Sequence, residues 1–219
     1  DGFLKIYNNQ NKDDDNNGYI DDLHGYRWLE WMNDDIGSDP IDDHGHGTHL
    51  AGIIGADHNN SGIVGMNPNA TLLPLKIFNR HGKATQLEAA YAIRYAVDQG
   101  ADIINCSWGG LGSNIFEQAN INTIHNNYNA VIVAAAGNDY VDAAHYPSSY
   151  DNVISVTALG SNGAYNNWAT YHETVDLGSP GESIRSTTIN NYSSWDGTSM
   201  ASPVAASCAG LLKSFNMDW

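Results

Sequence analysis

The stretch DDHGHGTH at 42–49 brings three imidazoles, His44, His46 and His49, within six positions. Near neutral pH an imidazole can ligate a metal or move a proton. A zinc-protease helix carries H-E-x-x-H, with two ligands on one face and a glutamate base. Here His46 and His49 are three apart and no glutamate lies between them. His44 is followed by a glycine, so its side chain need not converge on the other two. A dinucleotide loop fails as well. Gly45 and Gly47 begin a G-x-G, but the next glycine is Gly52 and no apolar strand precedes the motif. Proton transfer is the reading left, and it needs a nucleophile to serve.

GTSMASP at 197–203 offers one. Pro203 is tolerated in a first helical turn, and VAASCAGLL continues in a helical pattern. Ser199 is therefore expected where a helix begins, with the positive end of the helix dipole beside any developing oxyanion. Gly197, Ala201 and Ala205 are small and leave room for a substrate backbone. Taken alone, G-T-S reads as an ordinary helix cap. An alcohol is a weak nucleophile near neutral pH and needs an adjacent base, for which a neutral imidazole titrates in the right range. The same imidazole can then protonate a leaving amine.

The elements that must position these groups show in the apolar pattern. Residues 71–78, 101–107, 130–136 and 152–158 read as short, buried parallel strands. Residues 85–99 read as a helix with Leu87, Ala90, Tyr91, Ile93, Ala96 and Val97 near one face, Thr85 at its start and Gly100 at its end. Residues 114–127 read as a second helix. The alternation predicts a doubly wound α/β fold, with a mostly parallel central sheet and helices on both faces, over a single domain, 1–219. Active sites of such sheets gather at the carboxyl ends of the strands. Two strands end suggestively, one in Ser107-Trp108-Gly109-Gly110 and one in Ala136-Gly137-Asn138.

HGHGTHLAGIIGA, INCSWGG, VAAAGN and DGTSMASPVAA occur in that order along the chain. Together they resemble the subtilases, the subtilisin-like serine proteases, over roughly residues 4–215. The resemblance implies a secreted endopeptidase acting on polypeptides through an acyl-enzyme. His46 would be the general base and Ser199 the nucleophile, with the Asn138 amide and the Ser199 backbone N–H as the oxyanion hole. Ser107, Trp108 and Gly109 would lie beside an extended substrate as an added strand, although Trp108 also reads as plain core. Ala136 and Gly137 would form the opposite wall, and His145 would stand near the floor of the pocket for the residue before the cleaved bond. Small walls beside Trp108 predict a roomy pocket for large uncharged residues. His49 would be a structural helix residue and His44 exposed. An inactive relative that only binds peptides, and a metal-dependent hydrolase built on the histidines, are the competing readings.

The family's third catalytic residue is an Asp in a D-[ST]-G turn after an apolar strand, and no such turn stands in these 219 residues. The carboxylate is expected upstream of residue 1, and the chain is expected to be truncated at both ends. A propeptide or the missing N-terminal segment would be a partner. Acidic DDDNNGYIDD, 13–22, resembles the start of an EF-hand loop. Asp13, Asp15, Asn17, the Tyr19 carbonyl and Asp22 or Asp21 would hold a structural calcium ion, while a solvated acidic turn is the plainer reading. No calcium is expected at 57–62. The net charge of −16 disfavours nucleic acid and anionic membranes, and no apolar run is long enough for a membrane span. The only cysteines, Cys106 and Cys208, read as two buried thiols, with a disulfide left open.

Overall fold

The computed structural model describes residues 13, 16–20, 22, 24–29, 37 and 39–215. Its elements run β1 (Tyr26–Arg27), α1 (His46–Gly55), β2 (Leu75–Lys76), α2 (Gln86–Asp98), β3 (Ile103–Cys106), α3 (Ile115–Asn127), β4 (Val131–Ala135), β5 (Val153–Leu159), β6 (Leu177–Pro180), β7 (Ile184–Thr187), β8 (Tyr192–Trp195) and α4 (Thr198–Ser214). Strands β3-β4-β5-β6 form a parallel sheet in that order, β1 pairs with β2 in parallel, and β7 with β8 is an antiparallel ribbon.

Period-two alternation sends the strand side chains to two cores. Ile104, Cys106, Ile132 and Ala134 face α2 and α3, where they meet Ile93, Ala96, Ile121 and Ile124. Val133, Val156 and Ala158 face α4, where they meet Ala201 and Ala206. The sheet is thus covered by helices on both faces, which is why its strands read as continuous apolar runs.

Helix α2 differs from the sequence expectation in its rotation. Thr85 caps it in a full capping box with Glu88, yet Leu87 and Tyr91 are exposed, and Ala89, Ala92, Ile93, Tyr95, Ala96 and Val97 are buried. The aromatic group of Tyr19, Tyr26 and Trp28 accounts for this, because Tyr19 and Trp28 pack edge-on and Tyr26 at a tilt against Tyr95, which turns that side of the helix inward. Both cysteines are free. Cys106 is buried, its thiol pushed up to about 12 by burial and then by Glu117, whereas Cys208 is exposed, contrary to the reading of two buried thiols.

A cleft of about 2100 Å³ lies between the β1–β2 pair and the four-stranded sheet. Leu75 and Ile77 line one side, Ile103 and Ile104 the other, with Leu50, Ala96 and Leu211 among the side chains contributed by helices. Among the described residues, β3 has no strand on the edge away from β4. His46 and Ser107 also line this cleft.

Candidate active site

Helix α1 starts at His46 with Gly45 as its cap, at φ 97°, so the cap position has no side chain to offer. Asp42 serves from three residues upstream. Its Oδ1 accepts from the N–H of His44 (2.9 Å) and Gly45 (2.8 Å), and its Oδ2 from the N–H and hydroxyl of Thr48 (2.8 and 2.7 Å). Burial alone would raise this carboxyl, but four donated hydrogen bonds hold it at about 2. His46 is pushed below its ordinary pKa, first by burial and then by His44, with Asp42 pulling the other way. Burial and His44 both favour the neutral ring, the form that can take a proton. Among the described residues, no carboxylate hydrogen-bonds His46.

The other two histidines do different work. The His44 and His46 ring centres are 6.4 Å apart and close to perpendicular, and His44 is exposed. His49 is fully buried, stacked on Trp195 at 4.4 Å, with its Nε2 3.1 Å from the Ser193 carbonyl. Among the described residues, no group of three or more His, Cys, Asp or Glu is arranged to hold a metal.

Ser199 is the second residue of α4, one position inside the helix start. Pro203 is not in the first turn as the sequence suggested but in the second. A proline there has no N–H for the carbonyl four residues back, which is that of Ser199. Ser107 Oγ donates to that carbonyl instead, at 2.8 Å. In return Ser199 Oγ donates to the Ser107 carbonyl at 3.1 Å, so its proton is not aimed at an imidazole. The end of β3 and the start of α4 are tied again through Asn105, whose Nδ2 donates to Ser107 Oγ while its Oδ1 accepts from Ser202 Oγ.

Asn138 is reached from β4 and locked by Thr198, a residue the sequence reading did not single out. Gly137 N–H donates to Thr198 Oγ1 (3.1 Å), and the Thr198 hydroxyl and N–H both donate to Asn138 Oδ1 (2.9 Å each). That leaves the Asn138 Nδ2 donors uncommitted, and Nδ2 and the Ser199 backbone nitrogen lie 3.8 and 3.6 Å from where a Cβ on Gly197 would stand. Gly109 and Ala136-Gly137 extend the ends of β3 and β4. Trp108 is partly buried and packs against both the α2–α3 core and the aromatic group. His145 is buried between Gly109 and Gly137, its pKa lowered by burial.

In the acidic loop, Asp13 accepts from the N–H of Asn17 (3.1 Å) and Gly18 (2.8 Å), and Asn17 Nδ2 donates to Asp22 (2.8 Å). Tyr19 N–H donates to Asn17 Oδ1 (2.7 Å), and Gly18 turns the chain at φ 92°. Asp13, Asn17, Tyr19 and Asp22 are thus drawn together, while Asp15 lies outside the described residues.

A proton acceptor, a hydroxyl at a helix start and an oriented amide at adjoining strand ends define the layout of a serine hydrolase on a doubly wound sheet. The family is shown by comparison. Residues 7–219 match the model of the subtilase family, and the chain belongs to that family. It is 42% identical over 186 residues to thermitase of Thermoactinomyces vulgaris, covering 84% of this chain and 66% of that protein. It is 39% identical over 174 residues to the cell wall-associated protease of Bacillus subtilis (strain 168), covering 78% and 19%. Among solved structures, the prenylagaramide maturation protease PagA superposes with a TM-score of 0.75 at 30% identity, covering 79% of this chain and 65% of that one. The chain thus spans less than two thirds of the length of these relatives.

Proposed function

We propose that the protein is a secreted serine endopeptidase in which Ser199 attacks the peptide carbonyl and His46 takes its proton and returns it to the leaving amine. The Asn138 amide and the Ser199 N–H would stabilise the oxyanion. The observation that carries this reading is the Gly137–Thr198–Asn138 chain of hydrogen bonds, which commits the amide oxygen and leaves its N–H donors uncommitted beside Gly197, where the Ser199 N–H also lies. Secretion is supported by a relative named for the cell wall.

His46 needs a carboxylate to fix its tautomer and support its cation, and we assign that role to a strand from outside residues 1–219. The edge of β3 that has no partner strand among the described residues, the apolar walls of the cleft, and His46 at the same cleft favour a parallel strand that ends in an aspartate. The second reading, an inactive subtilase that binds peptides, is favoured by the resting Ser199 hydroxyl, which points at Ser107. One experiment separates them. A serine-directed phosphonylating reagent should label Ser199 and stop peptide hydrolysis in the chain extended upstream, with zinc chelators having no effect. Residues 1–219 alone should be slower by about 10⁴, the cost of losing such a carboxylate. Absence of a Ser199 adduct in the extended chain favours the inactive reading, and full activity of 1–219 alone removes the need for the strand.

Calcium is proposed at the acidic loop. Asp13 and Asp22 supply hard anionic oxygens, and the Gly18 turn curls the chain around Asp13 in the way such a loop requires. The ion would stabilise the folded state by binding it preferentially. Melting temperature should rise between excess chelator and millimolar calcium, and identical values would remove the proposal.

A further inference from the structure

Helix α3 buries Glu117, Ile121 and Ile124 along one face, so a carboxyl opens the stripe that two isoleucines continue into the core. Glu117 is only 3% exposed. Its Oε2 accepts from the Tyr150 hydroxyl (3.0 Å), which in turn accepts from the Asn114 N–H (2.6 Å). Its Oε1 has no hydrogen-bond partner among the described residues. The titratable groups around it are Cys106 of β3 and the stacked Tyr146 and Tyr150 of the 145–150 loop. All three ionise only to anions, and burial pushes the Cys106 thiol and the Tyr150 phenol each up to about 12. No lysine or arginine occurs between Arg94 and Arg185 in the sequence. On helix α2, which packs against α3, Glu88 is taken up by Thr85 and Arg94 by Asp98 and Tyr128. His125 is exposed at the far end of α3, and His145 lies against Gly109 and Gly137.

A carboxylate buried this deeply, with one oxygen unpartnered and no cation beside it, loses more hydration than it regains. The Tyr150 hydroxyl and the start of α3 favour the anion, yet burial is the largest effect and raises the Glu117 pKa. We propose that Glu117 is held as a neutral carboxylic acid and sets an alkaline limit for the fold: loss of its proton is the event that loosens the joint between α3, β3 and the 145–150 loop as pH rises. The other ties across this joint are uncharged. Gln118 and Asp151 exchange a pair of hydrogen bonds (3.2 and 3.0 Å), and so do the backbones of Gly110 and Tyr146 (2.9 and 2.7 Å). These bonds do not titrate, so the pH dependence falls on Glu117. Its folded value lies above the ~4.3 of an unfolded glutamate. The stabilisation is therefore present in full below that unfolded value and is lost as pH rises through the folded one, the reverse of the Asp42 carboxyl. The inference does not depend on the protease reading.

The test uses the full-length protein carrying Ser199→Ala, which removes self-cleavage, and compares it with the same protein carrying Glu117→Gln as well. Glutamine has the shape of the neutral acid and cannot ionise. Melting temperatures are read from pH 4 to pH 9, and every other titrating group cancels in the difference between the two proteins. The glutamine variant should gain on its parent as pH rises, and its lead should level off above the folded pKa at about 3 °C or more. A difference that is the same at every pH overturns the inference, and so does a parent that gains on the variant toward high pH. Should Glu117→Gln fail to fold, carboxyl-carbon NMR of the parent decides. One glutamate resonance should keep its protonated position after the other glutamates have ionised, and joint titration of all of them rejects the neutral acid.

Discussion

Asn138 shows what a sequence carries at the level of the residue and what it leaves out. The run of alanines ending in Gly137-Asn138 marks the amide as available, but an amide can face either way. Its direction is set by Thr198, sixty positions along the chain, whose N–H and hydroxyl both occupy Oδ1. Nothing in G-T-S distinguishes such a threonine from a helix-cap neighbour, so the role becomes visible only once β4 and α4 are side by side. Thr198→Val keeps the shape and removes the hydroxyl. The loss of one buried hydrogen bond to each neighbour, worth about 1–3 kcal/mol where it leaves a group unpaired, should lower kcat by about tenfold with little change in KM. Removing the amide itself, Asn138→Ala, should cost more, about 10²–10³, a figure taken from a member of this family. Steady-state kinetics on both variants with one peptide would check the order, and an equal or larger loss in Thr198→Val would show that it does more than orient Asn138.

Among the elements, strands β3, β4 and β5 and helices α2 and α3 were legible because apolar runs and capping residues are local signals, whereas the run at 71–78 forms only the two-residue β2 outside that sheet and β6, Leu177–Pro180, was not predicted. Thr85 caps its helix as expected, and Asn114, expected to be its first residue, caps α3. The rotation of α2 was not legible, since it depends on Tyr95 meeting Tyr26 and Trp28 across the chain. Nor was the place of Pro203, which sits a turn deeper than a first-turn proline because Ser107 takes over the carbonyl it frees. Asp42 gave no signal beyond its acidity, yet it carries the start of α1. Its folded-state pKa of about 2 lies below the ~3.9 of an unfolded aspartate. Its stabilisation is therefore complete above that unfolded value and is lost as pH falls through about 2. Asp42→Ala should cost about 1 kcal/mol or more at pH 7, as for other lost helix caps. Melting curves at pH 7 and pH 2 should show the difference between wild type and variant shrinking at the lower pH, and a constant difference would count against the assignment.

At the scale of the whole molecule, the alternation of strands and helices predicted the doubly wound sheet, and the solved relative superposes on it. The interruption of that sheet by a cleft was not readable as structure from residues 71–107, because an apolar strand reads the same whether or not a neighbour lies on its edge. That interruption also bears on how copies of the chain behave toward one another in solution. The cleft offers apolar walls and, among the described residues, a strand edge with no partner, both of which favour association. The net charge of −16 opposes it, because every copy repels every other. The two forces differ in range. Repulsion between surface charges is screened beyond about 10 Å at 0.1 M salt, and apolar contact is not. Residues 1–219 should therefore stay dispersed at low ionic strength and self-associate as sodium chloride is added, the reverse of ordinary salting-in. Light scattering across a salt series would record it, and a chain equally monodisperse at all salt concentrations would show that the cleft is closed to other copies. Colloidal stability in this molecule would then depend on its surface charge.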